Sequence, residues 1–145
     1  MKTFGVLAIG VLAAASVATG QTVREDAPGA RPYFASIARY AAVDLEELQE
    51  NILANLGSEN DGVVESALAH AAHLRLARPD IEMSEIREAV IALASEGPTA
   101  TIRYRAHLVS QVCCEPARFD DALMGTYASG EEFFASLGSR LQAML

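Results

Sequence analysis

The stretch from Asp44 to Cys114 contains the same helical pattern twice, and this repeat constrains the fold more than any other feature of the chain. In each copy an amphipathic helix ends in a turn and a second helix follows. The first turn covers residues 56–59, and the second covers residues 93–96, which is 37 residues later. The second helices open near Val63 and Ile102, so they are offset by 39 residues. A helical hairpin repeated at a period of about 40 residues is typical of an α-solenoid of the HEAT or armadillo kind.

Helix-end signals and apolar spacing support this division. Asp44 is a predicted N-cap with Glu47 as its capping-box partner, and Gly57 is expected to end that helix in the left-handed conformation. Pro79 must end the second helix because proline cannot continue it, and Ser84 is predicted to cap the third. The predicted buried stripes of the four helices are Leu45, Leu48, Ile52 and Leu56; Val64, Ala67, Leu68, Ala71 and Leu74; Ile86, Ala89, Val90 and Leu93; and Ile102, Ala106, Val109 and Cys113.

Weaker helical patterns flank the repeat on both sides. Residues 33–43 predict a first helix, with Phe34, Ile37, Ala38 and Ala41 on one face. A looser third hairpin follows Pro116: its first helix carries Phe119, Leu123 and Tyr127, and its second, capped by Ser129 with Glu132, carries Phe133, Leu137, Leu141 and Leu145. The sequence therefore predicts an all-α fold, a short right-handed α-solenoid of about three helical hairpins over residues 33–145.

The amino terminus predicts export. Lys2 supplies a positive charge, residues 4–18 are apolar, and small residues precede two candidate cleavage sites, after Ala18 and after Gly20. The apolar run is short against the ~20 residues that span a bilayer, so a cleaved signal is favoured over an uncleaved membrane anchor. The predicted organisation is a signal peptide over residues 1–20, a flexible linker over residues 21–32 and a helical-repeat domain over residues 33–145. The mature protein is expected to be periplasmic or secreted.

The charge of the chain argues against two classes of partner. The net charge is −8, and it becomes −9 without residues 1–20, where Lys2 is the only charged residue. An acidic surface repels phosphate backbones and anionic lipid, which disfavours nucleic acid and membrane surfaces as partners. A protein or peptide partner is the remaining expectation.

Residues 45–112, about half of the chain, also carry a family likeness. The positions that carry it are Asn51, Leu53, Leu56, Ser58-Glu59-Asn60-Asp61-Gly62-Val63 and Ser66-Ala67. In these features the chain resembles the small exported HEAT-repeat-like proteins of bacteria. The resemblance implies an α-solenoid that presents a surface to a partner, and it implies no catalytic residue. The chain departs from the usual HEAT pattern because it lacks the customary proline in each first helix and the Asp-Val/Arg ladder.

Four arginines and a tyrosine are the candidate binding residues. Arg75 and Arg78 close one second helix, whereas Arg103, Tyr104 and Arg105 lie in the equivalent helix of the next hairpin. Because equivalent helices of a solenoid stack side by side, these residues predict a cationic patch for a protein, peptide or anionic ligand. The alternative is that Arg75 and Arg78 complement a helix carboxyl terminus while the others pair with local glutamates.

A metal-binding or enzymatic role is the competing hypothesis. His70 and His73 are three residues apart on one helix, a spacing that can chelate one metal ion if His107 or a carboxylate supplies a third ligand. The alternative is that both are ordinary polar positions beside the apolar stripe. The sequence contains no nucleophile elbow, phosphate loop or His-Glu-x-x-His spacing, so it predicts no catalytic residue and no cofactor. A non-enzymatic binding or scaffold module is therefore favoured.

Cys113 and Cys114 are adjacent, and consecutive Cα atoms are ~3.8 Å apart, which is closer than the ~4.4–6.8 Å of an ordinary disulfide. The repeat offset aligns Cys113 with buried Leu74 and Cys114 with exposed Arg75. We therefore expect a buried thiol at Cys113 and an accessible one at Cys114, and a disulfide between two chains through Cys114 is one alternative. Two unreactive thiols and a strained vicinal disulfide remain as alternatives.

Overall fold

The computed structural model describes residues 31–145, and within this range it contains helices and no strand. The signal peptide and most of the linker predicted from the sequence lie outside the described residues. The α-helices are α1 (Leu45–Leu56), α2 (Asp61–Ala77), α3 (Ser84–Glu96), α4 (Ala100–Cys114), α5 (Asp120–Leu123) and α6 (Gly130–Ala143), and two 3₁₀ turns cover Ile37–Ala41 and Pro116–Phe119. None of these helices is long and apolar enough to cross a membrane. The prediction of an all-α fold is confirmed for the described part of the chain.

Helices α1, α2, α4 and α6 begin where a side chain accepts hydrogen bonds from the free N–H groups of the first turn. Asp44 accepts hydrogen bonds from the backbone N–H of Glu46 and of Glu47, at 3.0 and 3.3 Å, as predicted for an N-cap. The same role is played by Asn60 for α2, Thr99 for α4 and Ser129 for α6.

Two predicted helix ends are wrong in detail. Gly57 has φ −90° and ψ 6°, which is not left-handed. The N–H groups of Gly57 and Ser58 instead bond to carbonyls three residues back, at 3.2 Å, so the last turn tightens and requires no left-handed residue. Ser84 is the first residue of α3 rather than its cap; Met83 holds the N-cap position and offers no side-chain acceptor.

The helices pack so that α2 and α4 lie at the centre. Within each hairpin α1 packs on α2 and α3 packs on α4, and between hairpins α1 contacts α3 while α2 contacts α4. Helix α6 then packs across both α2 and α4, and residues 116–123 also lie against α2. Because α2 has neighbours on several sides, it is buried well beyond its predicted stripe. Its additional buried residues are Ala69, Ala72, His73 and Leu76.

The predicted first helix over residues 33–43 is wrong. Only a 3₁₀ turn forms at Ile37–Ala41, and it buries none of its residues. The buried residue is Phe34, which precedes the turn, while the N–H of Tyr33 donates to the carbonyl of Tyr127 at 2.8 Å. These contacts hold the segment in a non-helical path that inserts Phe34 into the core.

The first helix of the third hairpin is also shorter than predicted. It consists of the turn at Pro116–Phe119 followed by α5, and Tyr127 lies outside it. The hydroxyl of Tyr127 donates to the carbonyl of Ala122 at 2.9 Å, so the tyrosine satisfies the end of α5 instead of extending it. Phe133 and Leu137 of α6 are buried as predicted, whereas Leu145 is fully exposed beyond the end of that helix.

Candidate functional site

The five candidate binding residues lie in separate regions of the structure. Arg105 pairs with Glu65, which precedes Arg75 by ten residues on α2, or roughly 15 Å along the helix axis. Arg75 and Arg78 therefore lie at the far end of α2 from Tyr104 and Arg105. The role of these residues in binding stays a prediction.

Three of the arginines use their guanidinium groups locally. Arg75 donates from Nη1 to the carbonyls of Pro79 and Ile81, and Arg103 donates to the carbonyl of Gly97 at 2.7 Å. Arg78 forms two hydrogen bonds, 2.8 and 2.9 Å long, with the Asp80 carboxylate. This contact lowers the pKa of Asp80 to about 2, chiefly through the hydrogen bond from Arg78.

Tyr104 and Arg105 lie together in an open groove of about 540 Å³ between α4 and α6, here called the α4–α6 groove. Tyr104 exposes 53% of its surface there. On the α6 side the groove is lined by Phe134 and Gly138, and a Cβ atom on Gly138 would lie 2.7 Å from the Tyr104 hydroxyl. The glycine thus leaves the space in which the tyrosine hydroxyl lies.

Arg105 is fixed in this groove by two contacts. Its guanidinium bonds to the Glu65 carboxylate at 2.5 Å and lies over the Phe134 ring, 4.9 Å from the ring centroid. Glu65 and Phe134 were not among the site residues predicted from the sequence. A signal for Glu65 existed, because the repeat offset of 39 aligns it with Tyr104, the neighbour of Arg105. No comparable signal identified Phe134, which lies outside the two aligned hairpins of residues 44–114.

A second groove, of about 560 Å³, lies between α1 and α2 and is here called the α1–α2 groove. Buried Ile52 and Ala67 contribute its apolar floor, and exposed Asn51, Asn55 and Asn60 are the amide side chains along it. The volume of the groove is in the range of small-molecule sites. Its asparagine amides can both donate hydrogen bonds to a ligand and accept them from it.

His70 also lines the α1–α2 groove. Its Nδ1 lies 2.8 Å from the carbonyl oxygen of Ser66, which can only accept, so Nδ1 carries the proton and Nε2 is left as an acceptor.

His73 lies one turn away in a different environment. Its ring stacks on Phe34, with centroids 4.1 Å apart and planes 4° from parallel, and Tyr40 Oη lies 2.6 Å from its Nδ1. Burial, with a smaller effect of His70, lowers the pKa of His73 to about 4. Burial also raises the pKa of Tyr40 to about 12, so Tyr40 stays protonated and its hydroxyl donates a hydrogen bond to Nδ1 of His73.

Both histidines thus use Nδ1 within the fold. Across residues 31–145 no group of three or more His, Cys, Asp or Glu side chains is placed to hold a metal ion.

The two cysteines have the environments expected from the repeat offset. Both are free; Cys113 is buried and Cys114 is exposed. Burial raises the pKa of the Cys113 thiol to about 11, which keeps it protonated at neutral pH.

No family model matches the chain, and neither does any curated protein or solved structure. The resemblance to HEAT-repeat-like proteins therefore stays a prediction, and the functional argument depends on the geometry of these surfaces.

Proposed function

We propose that the protein is an exported, non-enzymatic helical-repeat module that binds a protein or peptide partner in the α4–α6 groove. The observation that carries this proposal is the exposed Tyr104 beside Arg105 in a concave surface. Tyrosine and arginine are enriched among the residues that dominate binding energy at protein interfaces.

The fixed position of Arg105 supports this assignment. Because Glu65 and Phe134 already hold its guanidinium, binding a partner next to it costs little side-chain entropy. Tyr104 adds a broad apolar surface with few rotatable bonds and a hydroxyl that can find a partner.

The repeat architecture is the second part of the proposal. Stacking of α1 on α3 and of α2 on α4 is the contact pattern expected when two hairpins succeed each other in an α-solenoid. We infer that these hairpins form a short right-handed solenoid of the HEAT or armadillo kind, with α6 and the preceding turns as its closing element.

Export is inferred from residues 1–20 alone. The acidic charge of the chain favours a partner surface that is basic or neutral in the region that meets the groove.

The test is a binding comparison between two matched exposed residues. Mature protein immobilised on beads captures partners from native envelope extract, and the captured proteins are quantified for wild type, Tyr104→Ala and Ile91→Ala. Ile91, on α3, is 51% exposed, so it controls for the loss of an exposed apolar side chain away from the groove. We expect Tyr104→Ala to lose a specific partner that Ile91→Ala retains.

The opposite pattern contradicts the proposal. Equal capture by wild type and Tyr104→Ala would remove the α4–α6 groove as the binding surface. Loss of capture in Asn51→Ala instead would assign binding to the α1–α2 groove. Melting temperatures of all variants should differ little, because exposed substitutions usually change stability by less than ~0.5 kcal/mol.

A further inference from the structure

A small cavity of about 120 Å³ lies between the carboxyl end of α2 and the amino end of α3. It is lined by Arg75 and Arg87, by Ser84, and by the buried thiol of Cys113. The cavity is smaller than the ~300–1,000 Å³ of ordinary small-molecule sites, which suits an inorganic ion.

The two arginines bring positive charge that the described residues do not neutralise. Neither Arg75 nor Arg87 takes part in any of the ion pairs found within residues 31–145. Glu82 also lines the cavity, but its carboxylate pairs with neither guanidinium.

Arg75 has a donor that the fold leaves unused. Its Nη1 bonds to the carbonyls of Pro79 and Ile81, but its Nε is buried and has no hydrogen-bond partner among the described residues. Buried donors are rarely left without an acceptor, so this one indicates a missing group.

Two further features of the walls favour an anion, whereas the Glu82 carboxylate opposes one. Helix α3 begins at Ser84 without a side-chain cap, and the amino end of a helix carries partial positive charge and free N–H groups. The thiol of Cys113 stays protonated because burial raises its pKa to about 11, so it does not compensate the arginines.

We propose that this cavity, here called the Arg75–Arg87 cavity, binds a small tetrahedral oxyanion, phosphate or sulfate. Arginine presents paired N–H donors that match the oxygens of such an ion. The protein carries a net charge of −8 and repels anions in general, so anion binding requires a local site of this kind. This inference does not depend on the proposed partner in the α4–α6 groove.

The experiment measures binding of inorganic phosphate and of sulfate by calorimetry and by thermal unfolding, with sodium chloride at matched ionic strength as the reference. We expect saturable binding and a rise of melting temperature with ion concentration. Arg87 is exposed, so Arg87→Gln is expected to leave the fold intact, and it should weaken binding about tenfold or more because it removes charged hydrogen bonds to the ion.

Arg78→Gln is the matched control, because Arg78 carries the same charge at the end of α2 that borders the cavity but does not line the cavity. It should leave binding unchanged. No saturable binding up to millimolar phosphate or sulfate would overturn the proposal. Equal weakening by Arg78→Gln and Arg87→Gln would also overturn it, because the effect would then come from overall charge.

Discussion

Lowering the pH from 6.5 to 4 should destabilise the fold by about 3 kcal/mol through one side chain, His73. Its ring is 4% exposed, stacks on Phe34 and accepts a hydrogen bond from Tyr40. Protonation would place a charge in this apolar surrounding and remove the acceptor at Nδ1. The pKa therefore falls from 6.5 to about 4, and each pKa unit corresponds to ~1.36 kcal/mol.

The direction follows from proton binding in the two states. Unfolded chains bind a proton at His73 below pH 6.5, whereas the folded protein does not until about pH 4. Stability contributed by the neutral ring is thus fully present above pH 6.5 and is lost as the pH falls towards 4. The Asp80 carboxylate titrates lower, between 3.8 and about 2, so its loss falls outside this window.

The assay is urea unfolding of wild type, His73→Phe and His107→Gln at pH 7 and pH 4.5. Phenylalanine keeps an aromatic ring on Phe34 but cannot titrate, and exposed His107 controls for histidines in general. Wild type and His107→Gln should each lose about 2.5 kcal/mol more than His73→Phe between the two pH values. Equal losses in wild type and His73→Phe would refute the reasoning.

Four further predictions concern separate parts of the chain. Thiol labelling of the native protein should modify one cysteine, Cys114, because Cys113 is buried and its pKa is raised to about 11; two modified thiols, or none, would contradict this. Mass spectrometry of protein from the producing cell should find a mature chain that starts at Thr19 or Gln21, and an intact Met1 in a membrane fraction would exclude cleavage. Phe133→Ala should lower the free energy of unfolding by about 3–5 kcal/mol in chemical denaturation, because Phe133 is fully buried. Elemental analysis of the purified protein should find no stoichiometric zinc or copper, and finding either would favour a site centred on His70 and His73.

Most helix ends and helix faces were predictable because their signals are local. Caps at Asp44 and Ser129, the stop before Pro79 and the apolar spacing of four helices each depend on residues within a few turns of one another. The alignment of Cys113 with Leu74 also predicted that Cys113 is buried, and both residues are buried.

The segments at residues 33–43 and 116–127 were not predictable because long-range contacts decide their conformation. Residues 33–43 have helical spacing, yet the contacts of Tyr33 with Tyr127 and of Phe34 with His73 hold a different path. Long-range contacts also decide the environment of His73, which the helical spacing alone placed as a polar position beside the apolar stripe of α2. Its burial depends on Phe34 and Phe133, which come from opposite ends of the described chain.

The candidate binding residues were predicted as one patch on equivalent helices, and the sequence did not show how far apart along those helices they lie. Arg105 bonds to Glu65 near the amino end of α2, whereas Arg75 bonds to the carbonyl of Pro79 beyond the carboxyl end of the same helix. Arg87, which shares a cavity with Arg75, lies on a first helix and was not considered.

The distribution of aromatic residues explains which surfaces remain open. Between residues 44 and 114 the only aromatic residue is Tyr104; the two hairpins are built from Ala, Leu, Ile and Val. Phe34, Phe119 and Phe133 lie outside the hairpins and are buried. Alone, the two hairpins would leave the outer side of α2 and α4 without a neighbour. Bulky aromatic rings from the flanking segments cover such a surface with few residues. The aromatic side chains from the flanking segments stop at the α4–α6 groove, where Tyr104 remains exposed beside Arg105. A partner can therefore contact α4 there without displacing α6 or the segment that carries Phe34.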